Sequence, residues 1–230
     1  LRAVNDASPA GATSISATVM LGATHAGRPY PDYASQANAL AELALSEGVK
    51  PTASLERNLG DFRESLSFLS SSGLIEIVKR SGEEVLVVPE SKRLALDFYK
   101  NSLIHTFLVP SLVTTALLGD VPESALAGDV AWGLNLLRYE FPLPERDLLE
   151  DLIARLLSHY RERGALRDGR VDVSHPLIRA TAGVLDNFYE AYLVVLRSIE
   201  GELPAGGMSE KQFLETAAKH FETSLLLGEV

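Results

Sequence analysis

Cysteine is absent from the 230 residues. That excludes disulfides, thiol catalysis and cysteine-ligated metals together, and it fits a reducing compartment. Basic charge is in the minority, with 21 Lys and Arg against 31 Asp and Glu and a net charge of -10. The excess is uneven: residues 1–95 hold 9 basic and 11 acidic side chains, and residues 96–230 hold 12 and 20. An acidic surface repels phosphate backbones, so nucleic acid is not expected as a partner, whereas local apolar or basic patches still allow a membrane. No charged-then-apolar leader follows Leu1, and Gly228-Glu229-Val230 comes directly after an apolar helical run; both ends read as cuts in a longer polypeptide.

A self-contained active site is also missing from the pattern. The five histidines are His25, His105, His159, His175 and His220, and the fifth position after each holds Tyr30, Pro110, Gly164, Ala180 and Leu225. A carboxylate at that spacing would hold an imidazole in the tautomer that activates a hydroxyl. His25 has Asp32 seven residues on, across a Gly-Arg-Pro-Tyr-Pro linker, which reads as a loop histidine beside a helix cap. There is no His-Glu-x-x-His spacing for zinc and no glycine-rich phosphate loop after a strand. Gly207-Met208-Ser209-Glu210-Lys211 lacks the last glycine of a nucleophile elbow. Glu83-Glu84 and Glu150-Asp151 read as solvated pairs on a turn and a helix surface. No catalytic residue, metal ligand or cofactor site is expected within these residues.

What is present is mostly helix, around one sizeable core or two small ones. Thr13 and Ser14 are expected to cap a helix to about Ala23, and Asp32 a second over Ala34–Glu47, stopped by Gly48. Ser54 is expected to cap a third, with Leu55, Leu59, Phe62, Leu66 and Leu69 as one apolar stripe. After Gly73 the period becomes alternating: Ile75 and Ile77, a Ser81-Gly82 turn, then Val85 and Val87 predict a β-hairpin. Three helices followed by a hairpin is a winged-helix-like arrangement, assigned to residues 1–89. Its third helix carries Glu56, Arg57, Asp61, Arg63 and Glu64, a poor composition for reading DNA.

Residues 90–230 are expected to form a helical bundle with a second short hairpin, which makes the whole fold mainly α. Leu94, Phe98, Asn101 and His105 are placed on one helix face, with Asn101 and His105 as a polar pair. Asn101–Gly119 contains no charged side chain and reads as a buried or interfacial helix pair interrupted by Pro110. A long amphipathic helix over Glu145–Arg163 turns Leu149, Leu152, Ile153, Leu156, Leu157 and Tyr160 to the core. Arg167-Asp168-Gly169-Arg170 predicts the small hairpin, Pro176 opens a helix to Ile199, and Ser209 with Gln212 forms a capping box for the last helix.

Val4-Asn5-Asp6-Ala7 with Thr13-Ser14, Phe98 to His105, Leu137 to Phe141 and Asn187 to Tyr192, taken in that order, resemble the glycerol-3-phosphate acyltransferase family after its catalytic domain. Val4-Asn5-Asp6-Ala7 followed by Thr13-Ser14 resembles that family's exit from the catalytic domain. Phe98 to His105, within Leu96–Phe107, resembles its Asn-x-x-x-His helix. Leu137-Arg138-Tyr139-Glu140-Phe141 resembles its Glu-Phe step, and Asn187-Phe188-Tyr189-Glu190-Ala191-Tyr192 its late Glu-x-Tyr helix, with Leu193 where Trp is frequent. Dihydroxyacetone-phosphate acyltransferases share this region. The resemblance implies a membrane-associated enzyme on the cytoplasmic side of the cell membrane. It transfers a fatty acyl group from acyl carrier protein or coenzyme A to glycerol 3-phosphate through an upstream His-x-x-x-x-Asp motif. Asn101, His105, Glu140 and Tyr192 map onto recurring positions and are expected to hold the segment together or against an upstream catalytic domain of the same polypeptide. Membrane lipid is an implied partner. The competing readings are a winged-helix transcriptional regulator with a helical effector or dimerisation domain, and a scaffold that binds through Asn101–Gly119.

Overall fold

The computed structural model describes residues 8–22, 27–202 and 207–227. Ten residues that are small or apolar on every side, Ala12–Leu21, form helix α1 and are buried nearly all round, as a helix without a polar face must be. The helix begins at Ala12 after Gly11 with no side-chain cap. Thr13 and Ser14 therefore lie inside its first turn and do not cap it, and Ala23 falls outside the described residues.

Strand β1 (Arg28–Pro29) follows, then α2 (Tyr30–Ser46), opened by Pro31. Proline suits that position because the first turn needs no amide donor, so α2 starts before Asp32, which sits within the first turn and is not its cap. The expected third helix is two: α3 (Ala53–Asn58) and α4 (Arg63–Ser71). Thr52, not Ser54, caps α3, accepting from the Leu55 amide at 3.1 Å. Asn58 causes the break: its carbonyl takes the Phe62 amide at 2.9 Å, and its side-chain oxygen takes the Ser65 amide at 2.8 Å. Phe62 is held at φ 56°, fully buried and edge-on to Tyr33 at 6.5 Å. Leu59 is left 42% exposed, so it drops out of the expected stripe.

Strands β2 (Glu76–Arg80) and β3 (Glu83–Val87) form the expected hairpin, with Ser81 and Gly82 both at positive φ, the geometry that matches strand twist. Strand β1, unforeseen, pairs with β3, giving an antiparallel order β1-β3-β2. Helix, strand, helix, split helix and hairpin complete the winged-helix-like unit. Gly27 closes it at φ 91°, where an added Cβ would lie 2.9 Å from the Leu86 carbonyl oxygen. Gly27→Ala is expected to cost about 2 kcal/mol, from backbone strain plus that contact, measured as a lower urea midpoint at unchanged slope.

A short 3₁₀ turn, Glu90–Lys92, leads into α5 (Arg93–Asn101), then α6 (Ile104–Leu118), α7 (Leu126–Leu136) and α8 (Leu149–Glu162). Antiparallel β4 (Leu166–Arg167) and β5 (Arg170–Val171) make the second hairpin, with Asp168 and Gly169 at positive φ. The helix from Pro176 ends early as α9 (Pro176–Ala182), followed by a 3₁₀ turn and α10 (Asp186–Glu202). Gly183 sits at this break, and a Cβ on Gly22 would lie 3.2 Å from its backbone. Helix α11 (Glu210–Leu227) starts on the expected box: the Ser209 amide donates to Gln212 Oε1 at 3.0 Å. The chain divides into two compact units, Leu1–Val184 and Leu185–Val230, so the boundary expected at residue 89 falls inside the first. The fold is mainly helical with two small antiparallel sheets, as the sequence indicated.

Two chains of hydroxyls run through the core of the first unit, and each hydroxyl has one proton to give. Ser16 gives its proton to the Ala12 carbonyl at 2.8 Å, so it accepts from Tyr33 at 2.7 Å and from Ser65 at 2.8 Å. Thr181 gives its own to the Leu177 carbonyl at 2.7 Å, so Thr114 donates to Thr181 at 2.8 Å and Tyr160 donates to Thr114 at 2.7 Å.

Candidate functional site

The chain between α5 and α6 bends by 99°. Ser102 stands at the bend, donating to the Tyr99 carbonyl at 2.7 Å and lying 2.8 Å from Ser14 on α1. Asn101 therefore ends one helix and His105 belongs to the next, and the two do not form the expected pair on a single face. Asn101 is exposed, and His105 is half-buried in the first turn of α6.

Helix α5 is turned opposite to its amphipathicity. Leu94 and Phe98 are 83% and 78% exposed, whereas Leu96 and Lys100 are buried. Asp97 lies 3.8 Å from the Lys100 ammonium, which keeps opposite charges together on the inward side. Helix α6 is buried along most of its length. Among the described residues no single helix is long and apolar enough to cross a membrane.

His105 lines a cleft of about 360 Å³ between the end of α2, the first half of α6 and α8. Its walls include Val49, Leu108, Pro142, Pro144 and Leu152, with Glu47 at one side, 3.6 Å from Arg155. Pro110 lies inside α6 here without ending it, and its carbonyl lies 3.4 Å from the Tyr160 hydroxyl. Burial pushes the Tyr160 phenol up to about 12, with the Thr114 and Thr181 bonds opposing it, so it remains a neutral donor.

Glu140 is exposed in the turn after α7, its amide bonded to the Leu137 carbonyl at 3.0 Å. Next to it Arg138 stacks over the Tyr139 ring at 4.4 Å. Tyr192 lies half-buried on α10 in the second unit. Of the four candidates, the cleft takes in His105. His25 and the Val4–Ala7 segment fall outside the described residues.

A second cleft, about 260 Å³, holds Glu42, His159, Arg163 and His175. Burial, then the nearby Arg163 charge, lowers the His159 pKa from its ordinary value, which favours neutral imidazole. His175 caps α9, a role hidden in the sequence except for its place before the helix-opening Pro176. Asp32, expected as a cap, instead joins elements: it receives Arg28 from β1 at 3.2 Å, Gln36 at 3.1 Å and both terminal nitrogens of Arg179 on α9.

The winged-helix surface offers few free cations. Arg57 is paired with Glu64 at 2.9 Å, and Arg63 with Glu84 at 2.5 Å. On the hairpin, Lys79 stands opposite Glu84 and Arg80 opposite Glu83, so cross-strand charges offset one another. Among the described residues, no group of three or more His, Asp or Glu side chains is arranged to hold a metal ion.

Comparison with known proteins supplies a family. The family model described as glycerol-3-phosphate acyltransferase C-terminal region matches residues 1–230. No curated protein matches significantly.

Proposed function

We infer the role of this chain from its family: it belongs to the glycerol-3-phosphate acyltransferase C-terminal region family, and we propose that it supports a catalytic domain preceding it in the same polypeptide. The match over all 230 residues carries this reading. In the proposed reaction the 1-hydroxyl of glycerol 3-phosphate attacks the thioester carbonyl of acyl carrier protein or coenzyme A. A histidine of the upstream His-x-x-x-x-Asp motif takes the hydroxyl proton and passes it to the departing thiolate, leaving 1-acylglycerol 3-phosphate. The winged-helix unit serves packing in this scheme, consistent with its paired cations. The protein works at the cytoplasmic side of the membrane, with lipid as a further partner. His105 and the cleft it lines, together with Asn101, Glu140 and Tyr192, serve to hold the segment together or against the catalytic domain.

The test is an assay with radiolabelled glycerol 3-phosphate and both acyl donors. The 230-residue chain alone is expected to form no acylated product, and the full polypeptide is expected to form it. Deleting these residues from the full polypeptide is expected to abolish activity. Product from the isolated chain, or full activity after the deletion, overturns the proposal.

A further inference from the structure

Two hydrogen bonds fix where His175 carries its proton. Nδ1 lies 3.2 Å from the backbone amide of Leu177, which can only donate, so Nδ1 is bare. Nε2 lies 3.1 Å from the carbonyl oxygen of Arg163, which can only accept, so Nε2 holds the hydrogen. Neutral imidazole protonated at Nε2 is the state that satisfies both. The bare nitrogen does the work usually given to a Ser, Thr, Asp or Asn oxygen at a helix start. Pro176 has no amide, so Leu177 presents the first amide of α9, and His175 meets it.

We propose that His175 is a proton-operated latch on α9: neutral, it caps the helix and ties it to the end of α8; protonated, it releases the cap. A proton added at Nδ1 sets a donor against the Leu177 amide, and the bond is lost. Charged groups from several elements share the cleft with the ring or stand beside it. From α8, Arg163 and the half-buried His159, which burial favours in its neutral form, line the same cleft. From α2, Glu42 is held by Arg163 at 2.6 Å. From the turn before α9, Asp172 attracts the charged ring, and the Arg167 charge from β4 acts on the same carboxylate; hydrogen bonds from Ser174 hold that carboxyl below the ordinary range, so it stays ionised. The released ring exchanges the Leu177 amide for the neighbourhood of Asp172. Helix α9 also carries Arg179, bound to Asp32, and Thr181, the end of the Tyr160 chain. The latch therefore governs how firmly α9 is held to α2 and α6.

Amide exchange measured by NMR on the 230-residue chain tests this. Protection at Leu177, corrected for the intrinsic effect of pH, is expected to fall about tenfold between about pH 8 and about pH 5.5, as for one lost hydrogen bond. In His175→Asn the side-chain oxygen caps without titrating, and protection is expected to stay level. His159 is present in both proteins, so its share cancels: stability present above the ordinary imidazole pKa and lost as pH falls through the lowered one. Equal losses in the two proteins, or none in the parent, overturn the latch. Ring-nitrogen shifts need no variant: a hydrogen found on Nδ1 of His175 at high pH overturns it as well.

Discussion

Asp32→Ala is expected to lower the free energy of unfolding by about 3–5 kcal/mol, the scale for removing one partner of a buried ion pair. Arg28 is 6% exposed, and its guanidinium has Asp32 and the Gly22 carbonyl at 3.0 Å as partners. Burial lowers the Arg28 pKa from its ordinary value and the nearby Arg179 charge adds to this, while Asp32 opposes both. Without the carboxylate, two guanidinium groups face each other and one has no route to water. Asp32→Asn retains the shape but turns amide hydrogens toward arginine hydrogens, so it should cost nearly as much. Urea unfolding checks both. A loss under about 1 kcal/mol, the size of a surface pair, would mean that Arg28 reaches solvent when Asp32 is gone.

Tyr160→Ala is expected to cost about 3–5 kcal/mol, as a large ring removed from a packed core leaves a cavity. Tyr160→Phe separates the hydroxyl from the ring. It keeps the packing against α6 but leaves Thr114 without its donor, for an expected loss of about 1–2 kcal/mol. Thermal and urea unfolding of the pair give the two contributions by difference. A phenylalanine variant as stable as the parent would mean that Thr114 and Thr181 satisfy one another without the tyrosine.

Features set by two or three adjacent residues were legible in the sequence. Ser81-Gly82 and Asp168-Gly169 supply the positive-φ pair a tight hairpin requires, and Ser209 with Gln212 forms its box. The stripe on α8 was also legible: Ile153, Leu156, Leu157 and Tyr160 are buried together. The division into α3 and α4 was hidden because the break keeps the phase. Leu55, Phe62, Leu66 and Leu69 stay buried across it, and the 4-3-4-3 spacing is the same with or without a turn. The orientation of α5 was hidden for another reason. Periodicity identifies an apolar side but not whether that side faces the core, and here Lys100 and Asp97 go inward as a pair. The polar pairing of Asn101 with His105 failed at the bend, which no proline or glycine announces. His105 still reaches a cleft, but the residues that line it with His105, just after α2 and on α8, are far away in sequence. The roles of Asp32 and His175 likewise depend on groups that only the tertiary fold brings near.

The one-way order of protons from Tyr160 to Thr114 to Thr181 constrains how this core can vary over time. Changing Thr181 alone to valine removes the acceptor that Thr114 uses, and changing Thr114 alone leaves the Tyr160 hydroxyl with its longer bonds, 3.4 Å to the Pro110 carbonyl and 3.4 Å to Thr181. Each single step gives up a short buried hydrogen bond, whereas replacing all three by apolar groups of like shape leaves no buried polar group among them. The three positions form one unit of inheritance: substitutions there should be found together or not at all, with strongly non-additive effects between them.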